Sequence, residues 1–394
     1  MTTRFCVMLF FVAGSLASPL LAQQKGAKKG AATPPAQKQP VQKPPVQKQA
    51  AGEKPATKPK AGESKPAAAK SSDPAVAEFD KVFADWKELL SKLKDLRATY
   101  IATPRKGGLR EPIKQEYDDL VKEGEKMEPK VVAAAEAAFA AAPNAQPEIG
   151  KFLAEELKYN VEHDNYELAV EIARTLIDNG YDNPRIYNYG GIAAYGANEF
   201  DDAEKWLKEG DKQSVLEVEA KQFLSHIKQY REMWKTEAAL RDAEANADLP
   251  RVLLKTNKGD IVVELFENEA PNTVANFVSL VEKKFYDGVP FHRVLPHFMA
   301  QGGDPEGTGQ GGPGYKIPDE IDRSDFRNHF RGSLSMANTG APNSGGSQFF
   351  IMFRPSGPAA GYNLNGKHTV FGRIIDGMDV LARIQRIDHE KHEA

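Results

Sequence analysis

The chain has 394 residues, more than one ordinary hydrophobic core organises, so two folded domains with tails are expected. Its net charge of −3 is a cancellation: residues 23–72 hold eleven Lys against two Glu, a net of +9, and Arg4 adds one more, leaving −13 on residues 73–394. An acidic folded body excludes the basic stripe that nucleic acid demands, and no run reaches the roughly 18 apolar residues of a transmembrane helix.

Arg4, the nearly all-apolar residues 5–12 and the small residues Ser15-Leu-Ala17 read as a signal peptide over residues 1–22, with a second candidate cut after Ala22. The chain is therefore expected to be exported, periplasmic or secreted. Cys6, the one cysteine, lies inside this segment, so the mature chain should carry no thiol or disulfide. Residues 23–72 are rich in Lys, Pro, Ala and Gln, with Pro-Val-Gln-Lys occurring twice. Almost no large apolar residue is present to offset the entropy of ordering, which predicts a disordered, extended linker. A plain spacer is the first reading of it, and salt-sensitive attachment to an anionic surface is the second.

Residues 73–248 read as an all-α domain. Phe79, Val82, Trp86, Leu89, Leu93, Leu96 and Tyr100 recur three and four apart, a heptad stripe opened by Asp73-Pro74 and stopped by Pro104 and Gly107-Gly108. Packing within the domain is preferred to a dimeric coiled coil for that stripe. Two further helices are expected over 112–125 and 129–142. Tyr166-Glu-Leu-Ala169 and Phe200-Asp-Asp-Ala203 lie 34 residues apart, with Gly191 twelve before Ala203. This resembles tetratricopeptide repeats, although Leu157 stands where the first repeat would have glycine. A degenerate two-repeat array is expected, capped by a helix over 215–244 that carries Phe223, Ile227, Tyr230 and Trp234. Such an array implies a possible protein partner for its groove, with a spacer or dimerisation platform as the plainer reading.

Residues 251–394 change character. Strand patterns flank Asn257-Lys-Gly as a hairpin, a helix follows over 269–281, and short strands near Phe291, Met299, Leu334, Gln348 and Val370 precede a last helix over 378–387. Alternation puts Phe291, Arg293 and Leu295 on one face. Many short strands with Gly-rich turns suggest a closed antiparallel barrel. Gly307-Thr-Gly-Gln-Gly-Gly312 fits G-x-G-x-x-G, yet no strand precedes it and no helix follows, so a surface loop is expected rather than a phosphate site. His389 and His392 read as a solvated tail rather than a metal site.

Three stretches stand out: Phe291-His-Arg-Val-Leu-Pro-His-Phe-Met-Ala-Gln-Gly-Gly-Asp304, Gly332 to Asn338 followed by Asn343-Ser-Gly-Gly-Ser-Gln-Phe-Phe-Ile351, and Leu364-Asn-Gly-Lys-His-Thr-Val-Phe-Gly372. In this order they resemble the cyclophilin-type peptidyl-prolyl cis-trans isomerases. The resemblance spans Arg251 to about Ile387 and implies an eight-stranded closed barrel with two capping helices and an active groove on its outer face. It implies rotation of Xaa-Pro bonds in unfolded or flexible protein segments, without metal or cofactor, and so a folding helper for exported clients. Arg293 takes the catalytic position; Phe298, Met299, Phe350, Leu364 and His368 match the apolar proline pocket; Gln301, Ala337, Asn338 and Gln348 match the positions that hold peptide backbone. The family often has tryptophan where this chain has Asn363, which predicts weak cyclosporin binding. A cyclophilin-like domain that merely holds proline-containing loops, or a scaffold acting through residues 73–248, are the alternatives.

Overall fold

The computed structural model describes residues 73–387. The expected signal peptide, the Lys/Pro/Ala/Gln-rich stretch, His389 and His392 lie outside those residues. The first helix, α1 (Pro74–Ala102), opens as its sequence dictates, with Asp73 accepting from the Ala75 N–H at 2.8 Å and Pro74 in the first turn. Phe79, Trp86, Leu89 and Leu93 are buried, and α1 packs on α2 (Arg110–Ala141). The expected break between two helices at Pro129 is corrected: α2 runs straight through it. Proline there removes one backbone hydrogen bond, but burial of Val131, Val132, Ala135, Ala138 and Phe139 beyond it outweighs that loss.

Five helices continue the stack, each packing on the next: α3 (Pro147–Glu162), α4 (Tyr166–Asp178), α5 (Ile186–Gly196), α6 (Phe200–Lys212) and α7 (Val218–Ala243). Tyr166, Ala169, Phe200 and Ala203 are all buried, as is Leu157. Close approach explains the small residues. A Cβ on Gly191 would overlap Leu207, and one on Gly196 would overlap the Tyr166 ring.

The second half is one sheet of seven antiparallel strands in the order β1-β2-β7-β5-β6-β4-β3. They are β1 (Arg251–Thr256), β2 (Gly259–Leu265), β3 (Arg293–Leu295), β4 (Met299–Gly302), β5 (Ser333–Met336), β6 (Phe349–Met352) and β7 (Val370–Asp376). Asn257-Lys258 forms the first hairpin, in the Thr256↔Gly259 register. Helices α8 (Pro271–Glu282) and α9 (Met378–Arg383) close over its concave core, contributing Val274, Phe277, Val380 and Leu381 to a cluster with Val294, Ala300, Leu334, Phe349 and Ile351. The closed eight-stranded barrel is corrected to an open half-barrel. The outer edge of β3 is met not by β1 but by Ile387, whose backbone exchanges two hydrogen bonds with Val294 (2.7 and 2.9 Å).

Helices and sheet meet through buried arginines. Arg331 binds Glu167 with Nε and Nη2 (2.6 and 2.7 Å) and lies over the Tyr166 ring, while its backbone N–H donates to Asn198. Arg354 reaches Glu219 (2.8 Å), and Arg327 bridges Glu237 and Glu244 of the helical part to Glu269 of the sheet part. Phe330 completes the seam, edge-on to Trp234.

Candidate active site

Period-two alternation decides which side chains of the sheet face away from the core. In β3, Val294 points inward, leaving Arg293 and Leu295 outside. In β4, Ala300 is inward, leaving Met299 and Gln301 outside. In β6, Phe349 and Ile351 are inward, leaving Phe350 and Met352 outside. Phe291 departs from the expected pattern. It precedes the strand and packs on the inner core, so it does not share the face of Arg293.

Register then aligns the outer residues into rows. Arg293 pairs with Gln301, Gln301 with Phe350, and Phe350 with Ser335, so one row crosses four strands. With strands about 4.8 Å apart, Arg293 and Phe350 stand about 10 Å from each other along it. The next row is Leu295, Met299 and Met352. Phe298, Met299, Phe350 and Met352 form a second apolar cluster, separate from the core, with Leu295, Ala337 and Leu364 packed against it. Arg293 is half-buried, and among the described residues no hydrogen bond or ion pair occupies its guanidinium.

Loops bring the remaining residues to this face. Gln301 donates from Nε2 to Gln348 Oε1 (2.9 Å), and Gln348 Nε2 donates to the carbonyls of Gly309 and Gly311 (3.0 and 2.9 Å). Ala337 N–H donates to the Gln348 carbonyl (2.9 Å), and Asn338 Nδ2 to the Lys367 carbonyl (2.9 Å). The His368 ring meets Phe350 edge-on at 5.4 Å, with Nδ1 3.1 Å from the Met336 carbonyl. All ten residues singled out in the sequence thus converge on one face, from β3, β4, β6 and three loops.

The electrostatics are simple. Burial pushes His368 below the ordinary histidine range, and burial of His329, stacked 5.9 Å from Phe350, pushes that imidazole to about 3. Both rings are therefore neutral near pH 7, and Arg293 supplies the positive charge at the end of the row. In the glycine-rich loop, Asp304 is fully buried and accepts from the N–H groups of Glu306, Thr308 and Gly309. Burial raises its pKa, but those backbone donors outweigh it and hold the carboxyl below its usual range. The N–H groups a phosphate would use are thus taken, in keeping with a structural loop.

Sequence reasoning missed three contributors. His329 backs Phe350 while bonded to Ser335 Oγ (2.9 Å) and Asn365 Oδ1 (2.8 Å). Tyr362 stacks on Phe298 with centroids 3.8 Å apart. His297 holds the β3–β4 turn with φ of +59°. Only Tyr362 left a trace, as the aromatic beside Asn363.

Residues 251–394 match the family model described as cyclophilin type peptidyl-prolyl cis-trans isomerase. A peptidyl-prolyl cis-trans isomerase of Synechococcus elongatus is 53% identical over 128 residues, 32% of this chain and 82% of its own length. One of Helicobacter pylori is 48% identical over 137 residues, 34% of this chain and 80% of its own. A solved cyclophilin type isomerase of Cryptosporidium parvum is 40% identical, with 34% of this chain and 83% of that one covered and a TM-score of 0.32. The chain belongs to the cyclophilin-type peptidyl-prolyl cis-trans isomerases. Its catalytic class is isomerase, and the described residues contain no helix long and apolar enough to cross a membrane.

Proposed function

We propose that Arg293 drives rotation of Xaa-Pro bonds seated on the Phe298–Met299–Phe350 shelf, in protein segments exported along with this chain. Resonance sets a barrier of about 18–20 kcal/mol to that rotation. As the bond twists, conjugation is lost and the proline nitrogen becomes pyramidal and basic. A guanidinium stays charged at every physiological pH and presents its donors in a rigid plane, so its hydrogen bond to that nitrogen strengthens as the transition state is approached. No bond is made or broken. The apolar shelf, with Leu364 and the edge of His368, desolvates the proline ring and anchors it while the preceding carbonyl swings. In this reading Gln301, Ala337, Asn338 and Gln348, beside the shelf, hold the peptide backbone through amide and carbonyl groups.

The observation carrying this reading is a guanidinium that no partner among the described residues occupies, standing on the same sheet row as Phe350. A protease-coupled proline-isomerisation assay on wild type and Arg293→Ala tests it. Loss of most of the rate is expected. A variant that keeps both rate and peptide affinity would mean the chain is a holder of proline-containing loops.

Export, folding assistance and the repeat reading belong to the same proposal. The signal-like first 22 residues support a periplasmic or secreted destination, which cell fractionation and sequencing of the mature N-terminus test. The 34-residue spacing of Tyr166–Ala169 and Phe200–Ala203, with its close helix contacts at Gly191 and Gly196, supports a degenerate tetratricopeptide-like array. A separate protein partner of that array would have to bind away from the surface the sheet already covers.

A further inference from the structure

We propose that Asp164, in the helical part, is a positioning residue for the isomerase site, holding the β3–β4 turn from which Arg293 and Phe298 are presented. This rests on the reading of Arg293 and Phe298 given above.

The turn Pro296-His297-Phe298 joins the two strands that carry Arg293 and Met299. His297 adopts the left-handed region (φ +59°), which costs a residue with a Cβ and persists only when its surroundings hold it. Those surroundings come from 133 residues away. Asp164 Oδ1 accepts the His297 backbone N–H at 3.0 Å and lies 2.9 Å from its ring Nδ1. Asp164 is itself fully buried and left-handed (φ +61°), on the connection between α3 and α4. Oδ1 also accepts from the Tyr166 hydroxyl (2.9 Å), while Oδ2 is paired with Arg386. A buried carboxylate shared among a turn, a helix start and the chain's last described segment fixes all three in relation to one another.

The tie reaches the site without further links. Phe298 follows His297 directly, and its carbonyl accepts from Phe353 N–H at 2.9 Å. The Phe298 ring is also held from the helical part. Tyr362 stacks on it, and the loop leading to Tyr362 passes so close to Tyr230 of α7 that a Cβ on Gly357 would overlap the Tyr230 hydroxyl. Gly357 N–H in turn donates to the Tyr362 carbonyl (2.6 Å). Catalysis by a fixed donor above a fixed shelf depends on their spacing, and a displacement of about 1 Å costs up to a hundredfold in rate. Loosening the turn therefore lowers turnover without removing any group that touches substrate.

The two carboxylate oxygens allow a discriminating test in the full chain with a short proline tetrapeptide. Asp164→Ala removes both sets of bonds. Asp164→Asn keeps an Oδ1 acceptor for His297 and Tyr166 but replaces Oδ2, the oxygen on Arg386. We expect Asp164→Ala to lower kcat about tenfold with KM changed less than about threefold, and Asp164→Asn to recover most of that loss. The helical circular-dichroism signal should be retained in both. Folded Asp164→Ala with wild-type kcat overturns the proposal. So does a loss in Asp164→Asn equal to that in Asp164→Ala, since turnover would then follow the Arg386 pair. If Asp164→Ala does not fold at the assay temperature, Asp164→Gly removes the same bonds while suiting the left-handed backbone at that position (φ +61°), and unchanged kcat there overturns it equally. Arg293→Ala is run alongside. If it is fully active the site reading itself has failed; if it is inactive while the Asp164 variants are not impaired, only the positioning role has.

Discussion

At the scale of single residues, the site separates a charge from a surface. A guanidinium needs no titration to donate a hydrogen bond, and both imidazoles at the apolar end are kept neutral by burial. Accordingly kcat/KM should be flat from pH 7 to 9, as a pH series of the coupled assay would read. Replacing Arg293 with Ala should lower kcat/KM about a hundredfold or more, the scale of removing one donor aimed at developing charge. Arg293→Lys should remain well below wild type, because a point charge on a flexible stem does not reproduce the planar fork. Folding stability responds to pH where turnover does not. His329 is held at about 3 against an ordinary value of 6.5, so between those values the unfolded chain binds a proton the folded chain refuses. Stability is thus complete above about pH 6.5 and falls as pH drops toward 3. Urea midpoints measured over that window should fall less steeply in His329→Gln. Asp164, lowered to about 2, adds its own loss only below its unfolded value of 3.8. Asn363 is exposed beside the stacked Tyr362, and cyclosporin should inhibit weakly; submicromolar inhibition in the coupled assay would sink that expectation.

At the scale of elements, strand pattern and helix pattern were legible to different depths. Alternation in 293–295, 299–302 and 349–352 names the outward residues once the strands are known, and the ordered motifs supplied the strands. Arg293, Gln301 and Phe350 were named together by the family resemblance, whereas alternation alone set Phe291 beside Arg293, which the inner core claims instead. Closure of the sheet was not legible, because it depends on which edge β3 meets. Ile387 takes that edge through backbone groups that every residue possesses. Pro129 misled for a related reason: the local rule that proline ends a helix is right about the missing N–H and silent about the burial that outweighs it. If that account holds, Pro129→Ala should restore a hydrogen bond at no packing cost and stabilise the protein by about 1–3 kcal/mol, read as a higher melting temperature. A lower melting temperature would show that α2 needs the proline's geometry. The tie between Asp164 and His297 left no local trace at all, since an Asp in a helix connection and a His after Pro are each ordinary in turns.

At the scale of the whole molecule, the helical part and the sheet are joined by charges that neither could bury alone. Arg327 shows the logic most clearly. Its side chain is 1% exposed, its plane lies over Phe266, and its nitrogens meet Glu237, Glu244 and Glu269. Two of those carboxylates belong to the helical part and one to the sheet part, so this guanidinium ties acids from both sides of the seam, beside Arg241 on Glu237 (2.8 Å) and Arg373 near Glu244 (3.7 Å). A buried pair of this kind contributes little beyond what a well-packed apolar substitute would, but removing one member leaves the others charged and unsolvated. Arg327→Met keeps the volume and removes the charge, so it should cost about 3–5 kcal/mol, well above an exposed pair. The unfolding behaviour is the sharper readout. With the seam intact, calorimetry of the whole chain should give one cooperative transition for helices and sheet together. In Arg327→Met, Arg241 and Arg373 still meet Glu237 and Glu244, but Glu269 loses its ion pair and the bridge to the helical acids is gone, so the two parts should separate into two transitions. A wild type that already melts in two steps would mean the seam is too weak to carry the coupling between Asp164 and the isomerase turn.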